Sequence, residues 1–148
     1  MTVDPVYRCY SVARWFSERH MRLFAYVVRA LMRVVFACDV PYGARVGRGT
    51  KFPHHALAVV IHPDAVVGEN CTVSHQVTIG GRSGLKEVPM IGDRVLIGCG
   101  ATLLGPIVVG DDAVIGAGAV VLADVPAGAT AVGVPARIVV GEGNGPKL

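Results

Sequence analysis

The chain has 148 residues, a formal net charge of +3 and an apolar fraction of 52%, carried by Val, Ala and Ile rather than by aromatics. That length accommodates one domain with a sizeable core. No apolar run approaches the roughly 18 residues of a membrane-spanning helix, and no signal-peptide cleavage pattern opens the chain. Cys9, Cys38, Cys71 and Cys99 form no CxxC pair, so a reducing, cytoplasmic setting is expected.

Charge is unevenly distributed. Residues 1–48 hold eight Arg against three acids, whereas residues 49–148 hold six bases against eight acids, so the basic part is the N-terminal segment. Residues 5–37 read as helix with a break near Ser17, because Pro5 suits a first turn and no Gly or further Pro follows before Pro41. On one continuous helix Arg8, Arg19, Arg22, Arg29 and Arg33 fall within an arc of about 80°. The expected arrangement for residues 1–38 is a helical segment packed on the body or on a neighbouring subunit, with its Arg stripe in solvent. The competing arrangement is an interfacial helix in peripheral contact with an anionic membrane. No nucleic-acid partner is expected, since the body is slightly acidic and offers no basic, aromatic-rich groove.

From Val40 onward the pattern changes to hexads, led by Val40, Val46 and Phe52. The register slips across Leu57–Val60 and resumes at Ile61, Val67, Val73 and Ile79, with Ala65, Cys71 and Val77 at the fifth places. Residues 81–89 fit no hexad and are expected to form a loop thrown outward, where solenoids commonly help form sites. Next, Ile91, Ile97, Leu103, Val109, Ile115 and Val121 recur every six residues, each followed four places later by Val95, Ala101, Ile107, Ala113, Ala119 and Val125. A period of six excludes an amphipathic helix and a simple alternating strand. It fits a β-helix in which each hexad gives one short strand and one corner. Cys71 and Cys99 fall inside hexads and read as buried thiols. Residues 126–140 leave the hexad and close the open end, and 141–148 form a flexible tail.

Several independent motifs now stand in one order: Asp39, Gly47-Arg48-Gly49, Phe52-Pro53-His54, Val77-Thr78-Ile79-Gly80-Gly81, the hexads, and Gly133-Val134-Pro135-Ala136-Arg137-Ile138. Over about residues 38–140 the chain resembles the hexapeptide-repeat acyltransferases, in their serine acetyltransferase-like branch. The resemblance implies a mainly β protein, a left-handed parallel β-helix preceded by an N-terminal α-helical segment, with residues 39–140 as the acetyltransferase domain. It further implies a homotrimer and acetyl-CoA lying in the groove between neighbouring subunits.

Acyl transfer from a thioester to a hydroxyl needs a base for the hydroxyl proton, and histidine is suited to the task near neutral pH. His54 stands where the family has its catalytic histidine, and Asp39 matches the carboxylate partner of that histidine. At about 18 residues per three-hexad coil, their offset places Asp39 roughly one coil below His54, where an aspartate could orient the ring. His55, His75 and Lys86 are expected on the acceptor side, while His62 reads as structural. For acetyl-CoA the resemblance implies Gly81, Cys99, Gly100, Ala117 and Gly118 along the pantetheine arm, with Arg137 on phosphate. No metal is expected.

Two departures bear on the acceptor. The family's Asp-Arg-His-Pro run corresponds here to Lys86-Glu87-Val88-Pro89, and the aspartate before the catalytic histidine is Pro53. Serine and a saccharide hydroxyl therefore both stay open, and the compact layout resembles the short acetyltransferases of polysaccharide pathways. Two other classes compete. A γ-carbonic-anhydrase-like zinc enzyme would need three converging histidines and an open coordination position, and bound zinc would be its mark. A non-catalytic β-helix scaffold would need neither Asp39 nor His54.

Overall fold

The computed structural model describes residues 3–139, so the tail expected over 141–148 lies outside the described residues. Helix α1 spans Pro5–Glu18 and α2 spans Arg22–Phe36. The break between them falls at residues 19–21, where His20 takes a left-handed φ of 60°. Asp4 caps α1, its Oδ1 accepting from the backbone N–H groups of Val6 and Tyr7 at 2.9 and 3.1 Å, with Pro5 following as a first-turn residue.

The body is a left-handed parallel β-helix with three faces. Face one stacks β1 (Arg45–Val46), β3 (Val66–Val67), β6 (Met90–Ile91) and β9 (Val108–Val109). Face two stacks β4 (Thr72–Val73), β7 (Leu96–Ile97), β10 (Val114–Ile115) and β12 (Thr130–Val132) over Lys51. Face three stacks β2 (Val60–Ile61), β5 (Thr78–Gly80), β8 (Thr102–Leu104) and β11 (Val120–Val121).

The hexad ruler holds to the residue. All six leading aliphatics from Ile91 to Val121, and all six fifth-place residues from Val95 to Val125, are buried. Each inward aliphatic removes a side chain from water at a gain of about 1.5–3 kcal/mol, and identical spacing lets every coil repeat that gain. Coil lengths vary below the ruler. Register partners lie 21 residues apart in the first coil (Arg45 to Val66), 24 where the outward loop is inserted (Val66 to Met90), and 18 above it (Leu96 to Val114).

Beyond Val125 the hexad spacing is left: β12 stacks in parallel on β10 at an offset of 16 residues, pairing Thr130 with Val114, and β13 (Arg137–Val139) reverses to run antiparallel beside it. The lower end is closed by α1, which buries Val6, Tyr10 and Ala13. The Tyr10 hydroxyl donates to the Ala44 carbonyl at 2.7 Å and accepts from the Val46 N–H at 3.0 Å, so this large side chain enters the core fully hydrogen-bonded.

Candidate active site

The register slip is the source of the site. Phe52 is buried, and the chain then makes a turn at Pro53–Ala56 in which His54 and His55 both adopt left-handed geometry, with φ, ψ of 56°, 32° and 56°, 36°. Ala56 and Ala58 also have positive φ. Non-glycine residues in this region cost about 1–2 kcal/mol each, and strain of this kind collects at functional sites. The turn is held by the Ala58 N–H donating to the Ala37 carbonyl at 2.9 Å and the Gln76 N–H donating to the Leu57 carbonyl at 2.8 Å. It supplies the three residues by which the first coil exceeds 18, and it leaves both imidazoles exposed at the corner between faces two and three.

The adjacent histidines diverge. The His54 ring meets His75 of the next coil edge-on, with centroids 5.1 Å apart and planes at 84°. His55 turns the other way and stacks on Phe36, the last residue of α2, at 5.8 Å and 13°. The Nδ1 of His75 is buried without a hydrogen-bond partner. An unpaired buried ring nitrogen is costly, so His75 is the group here with an unmet polar demand.

Above His75 the same corner rises through Cys99 and Ala117. The Gly100 N–H donates to the His75 carbonyl at 3.0 Å and the Gly118 N–H to the Cys99 carbonyl at 2.8 Å, which fixes the stacking. Gly100 and Gly118 have φ of 69° and 67°, yet backbone geometry alone does not demand glycine there: Gln76, one coil lower in the same column, has φ 59°. A Cβ on Gly118 would meet nothing within 4 Å, and one on Gly100 only the Gly118 nitrogen at 4.0 Å. Glycine keeps this strip of surface bare. Gly98, by contrast, serves packing, since its Cβ would lie 2.6 Å from the Ala117 nitrogen. At about 4.8 Å per coil, the strip rises from the histidines to Arg137, which is exposed beside the top of the column.

Gly81 and Lys86 lie in the loop between faces three and one, across face three from His54. Three expectations need correction. Cys99 is only half-buried at the bare corner; Cys71 and Cys38 are the buried thiols, and burial pushes Cys38 up to about 11. The Arg stripe does not face solvent throughout. Arg29 donates from Nε and Nη2 to the Asp39 carboxylate at 2.9 and 3.0 Å, and Arg33 Nη2 donates to it at 2.8 Å. Finally, because the first coil is 21 residues long, Asp39 lies beneath Val60 rather than beneath His54. The hydrogen bonds of its carboxylate among the described residues go to those two guanidiniums and none to His54.

Sequence reasoning missed Asp4. Its Oδ2 accepts from the Phe52 N–H at 2.9 Å, tying the start of α1 to the residue two before His54. An aspartate just before a first-turn proline suits a helix cap by residue type, but nothing local tells that its second oxygen reaches the body. Among the described residues of one chain no three His, Cys, Asp or Glu side chains converge to hold a metal.

Residues 89–123 match the bacterial transferase hexapeptide (six repeats) family. A serine acetyltransferase of Helicobacter pylori (strain J99) is 41% identical over 133 residues, covering 88% of this chain and 77% of the relative. The solved soybean serine acetyltransferase complexed with serine superimposes with a TM-score of 0.84 at 43% identity, covering 90% of this chain and 56% of that one. The Brucella abortus serine acetyltransferase in complex with coenzyme A gives 0.85 at 38% identity, covering 89% and 53%. Against other curated relatives the chain spans about half of their length.

Proposed function

The chain belongs to the serine acetyltransferase family, and from that premise we propose that it transfers the acetyl group of acetyl-CoA to a hydroxyl of a small molecule, serine or a saccharide. The observation that carries the proposal is His54, an exposed imidazole on a strained left-handed turn at the foot of a bare glycine-lined corner. His54 takes the hydroxyl proton as that oxygen attacks the thioester carbonyl, and returns it to the sulfur as the C–S bond breaks. No acyl-enzyme is needed. Gly100, Ala117 and Gly118 give the extended thioester an unobstructed path, Cys99 flanks it, and Arg137 offers a guanidinium to phosphate at its far end. Asp39 acts as a positioning residue, its backbone paired to the strand that leaves the histidine turn.

Further parts of the proposal concern partners and setting. The separation of Gly81 and Lys86 from the histidine corner supports a homotrimer, in which a neighbour's loop would complete the site. α2 supports peripheral contact with an anionic membrane: Leu23, Leu31, Val34 and Val35 are exposed, and Arg22, unlike Arg29 and Arg33, forms no ion pair among the described residues. Flotation with phosphatidylglycerol but not phosphatidylcholine vesicles is expected; recovery only in the unbound fraction overturns this contact. Free thiols at Cys9, Cys38, Cys71 and Cys99 support a cytoplasmic protein.

The deciding experiment is acetyl-CoA turnover, followed as free thiol, against serine and a panel of saccharides. Turnover with a saccharide alone would place the chain in glycan modification, and efficient turnover with serine would show that Pro53 and Val88 leave a serine site intact. Failure to bind acetyl-CoA would falsify the proposal.

A further inference from the structure

A pocket of about 390 Å³ opens where the middle and end of α1 face the corner between faces one and two. α1 supplies one wall at helical spacing: Tyr7, Arg14, Trp15 and Glu18 lie on the stripe beside its buried Val6, Tyr10 and Ala13. Arg48 of the first coil and Glu69 of the coil above it supply the other wall. The Asn70 N–H donates to the Arg48 carbonyl at 2.8 Å, which seats those two residues on adjacent coils. No residue of the Pro53–Ala56 turn lines the pocket, so it stands apart from the histidine corner.

Four charged side chains line it, and two of them are spent on each other. Arg14 donates from Nε to the Glu18 carboxylate at 2.9 Å, while its Nη1 donates to the Tyr10 hydroxyl and the Ala44 carbonyl at 3.1 and 3.0 Å. The side chains of Arg48 and Glu69 form no ion pair among the described residues, with each other or with any neighbour. One guanidinium and one carboxylate are therefore free, beside the Tyr7 and Trp15 rings. An anion entering the pocket meets Glu69 as well as Arg48, and a cation meets the same opposition. A molecule carrying both an ammonium and a carboxylate finds a charge-assisted partner at each end. The volume is that of a small-molecule site.

We propose that this pocket binds a small zwitterion, with its carboxylate on Arg48, its ammonium on Glu69 and its carbon chain along Trp15. The site is independent of the acetyl-transfer reading of His54.

Trp15 is the single tryptophan of the chain, so its emission reports on this pocket. The test titrates the purified full chain with γ-aminobutyrate and glycylglycine, and with butyrate and butylamine as analogues bearing one charge, followed by Trp15 emission and by calorimetry. At least one zwitterion should bind about tenfold or more tightly than either single-charge analogue and change Trp15 emission saturably. The preference should vanish in R48Q/E69Q and persist in the charge-preserving R48K/E69D, which separates lost charge from lost fold. It should also persist in H54A, which separates this pocket from the histidine corner. Equal or absent binding of all four compounds overturns the site, as does a preference that survives R48Q/E69Q, is lost in H54A, or leaves Trp15 emission unchanged.

Discussion

At the corner between faces one and two, Asn70, Arg94 and Asp112 adopt left-handed φ of 55°, 57° and 59°. At the next corner Gln76 does the same, and Gly100 and Gly118 follow above it at 69° and 67°. One backbone turn is thus used in two ways. The first corner carries a ladder: Arg94 clasps Asp112 through two hydrogen bonds at 2.7 and 2.8 Å, the Asp93 carboxylate accepts from the Glu69 N–H at 2.8 Å, and Asp111 accepts from the Asp93 N–H at 2.9 Å. The second corner carries imidazoles at its foot and only Cys99, Ala117 and two glycines above them. The repeat sets the turn, and the side chains decide whether a corner ties coils together or leaves room for a ligand.

The largest expected effect lies at the foot of the bare corner. His54→Ala should lower acetyl transfer by about 10²–10⁴-fold, the range for losing a general base, while acetyl-CoA binding measured by calorimetry stays intact. An equal loss from Arg94→Ala would erase the distinction between the corners.

Filling the bare strip should come next. Gly118→Asn and Gly100→Gln place side chains at the turn position that Asn70, at the other corner, and Gln76, in the same column, already occupy with positive φ, so each variant should fold with a melting temperature close to the parent. Acetyl-CoA should bind at least about tenfold more weakly, equivalent to about 1.4 kcal/mol. Unchanged affinity would return these glycines to repeat geometry alone.

Asp39→Asn removes the charge that Arg29 and Arg33 share, and should cost about 2 kcal/mol of stability in urea denaturation. Its effect on kcat should be smaller than that of His54→Ala, because the carboxylate supports the turn without a hydrogen bond to the ring. A kcat loss as large as that of His54→Ala, with stability unchanged, would make Asp39 a direct partner of His54.

The smallest effect should come from Arg94→Ala, since both partners are exposed to solvent and salt. The Arg94 guanidinium holds Asp112 below the usual carboxylate range. A depressed acid contributes stability above its ordinary value and loses it as pH falls through its folded one. Thermal melts of parent and variant should therefore differ slightly near neutrality and converge in acid.

Much of this was legible in the residues. The hexads named every inward position from Ile91 to Val125, the slip located the histidine turn, and Pro5 with an uninterrupted run located the helices. The site was legible only in part: His54 and His75 were singled out, but their edge-on contact was not, and neither were the two guanidiniums on Asp39. Counting 18 residues per coil put Asp39 under His54, whereas the left-handed turn had lengthened that coil to 21.

Periodicity along the chain determined the architecture by itself, because each hexad meets the same local demand: one aliphatic inward, one small residue at the corner. Adjacency between coils was decided only in the folded stack. It depends on the summed lengths of every turn and loop beneath a residue, so three residues inserted at Pro53–Ala56 changed the partners of Asp39 while leaving every hexad above them in step.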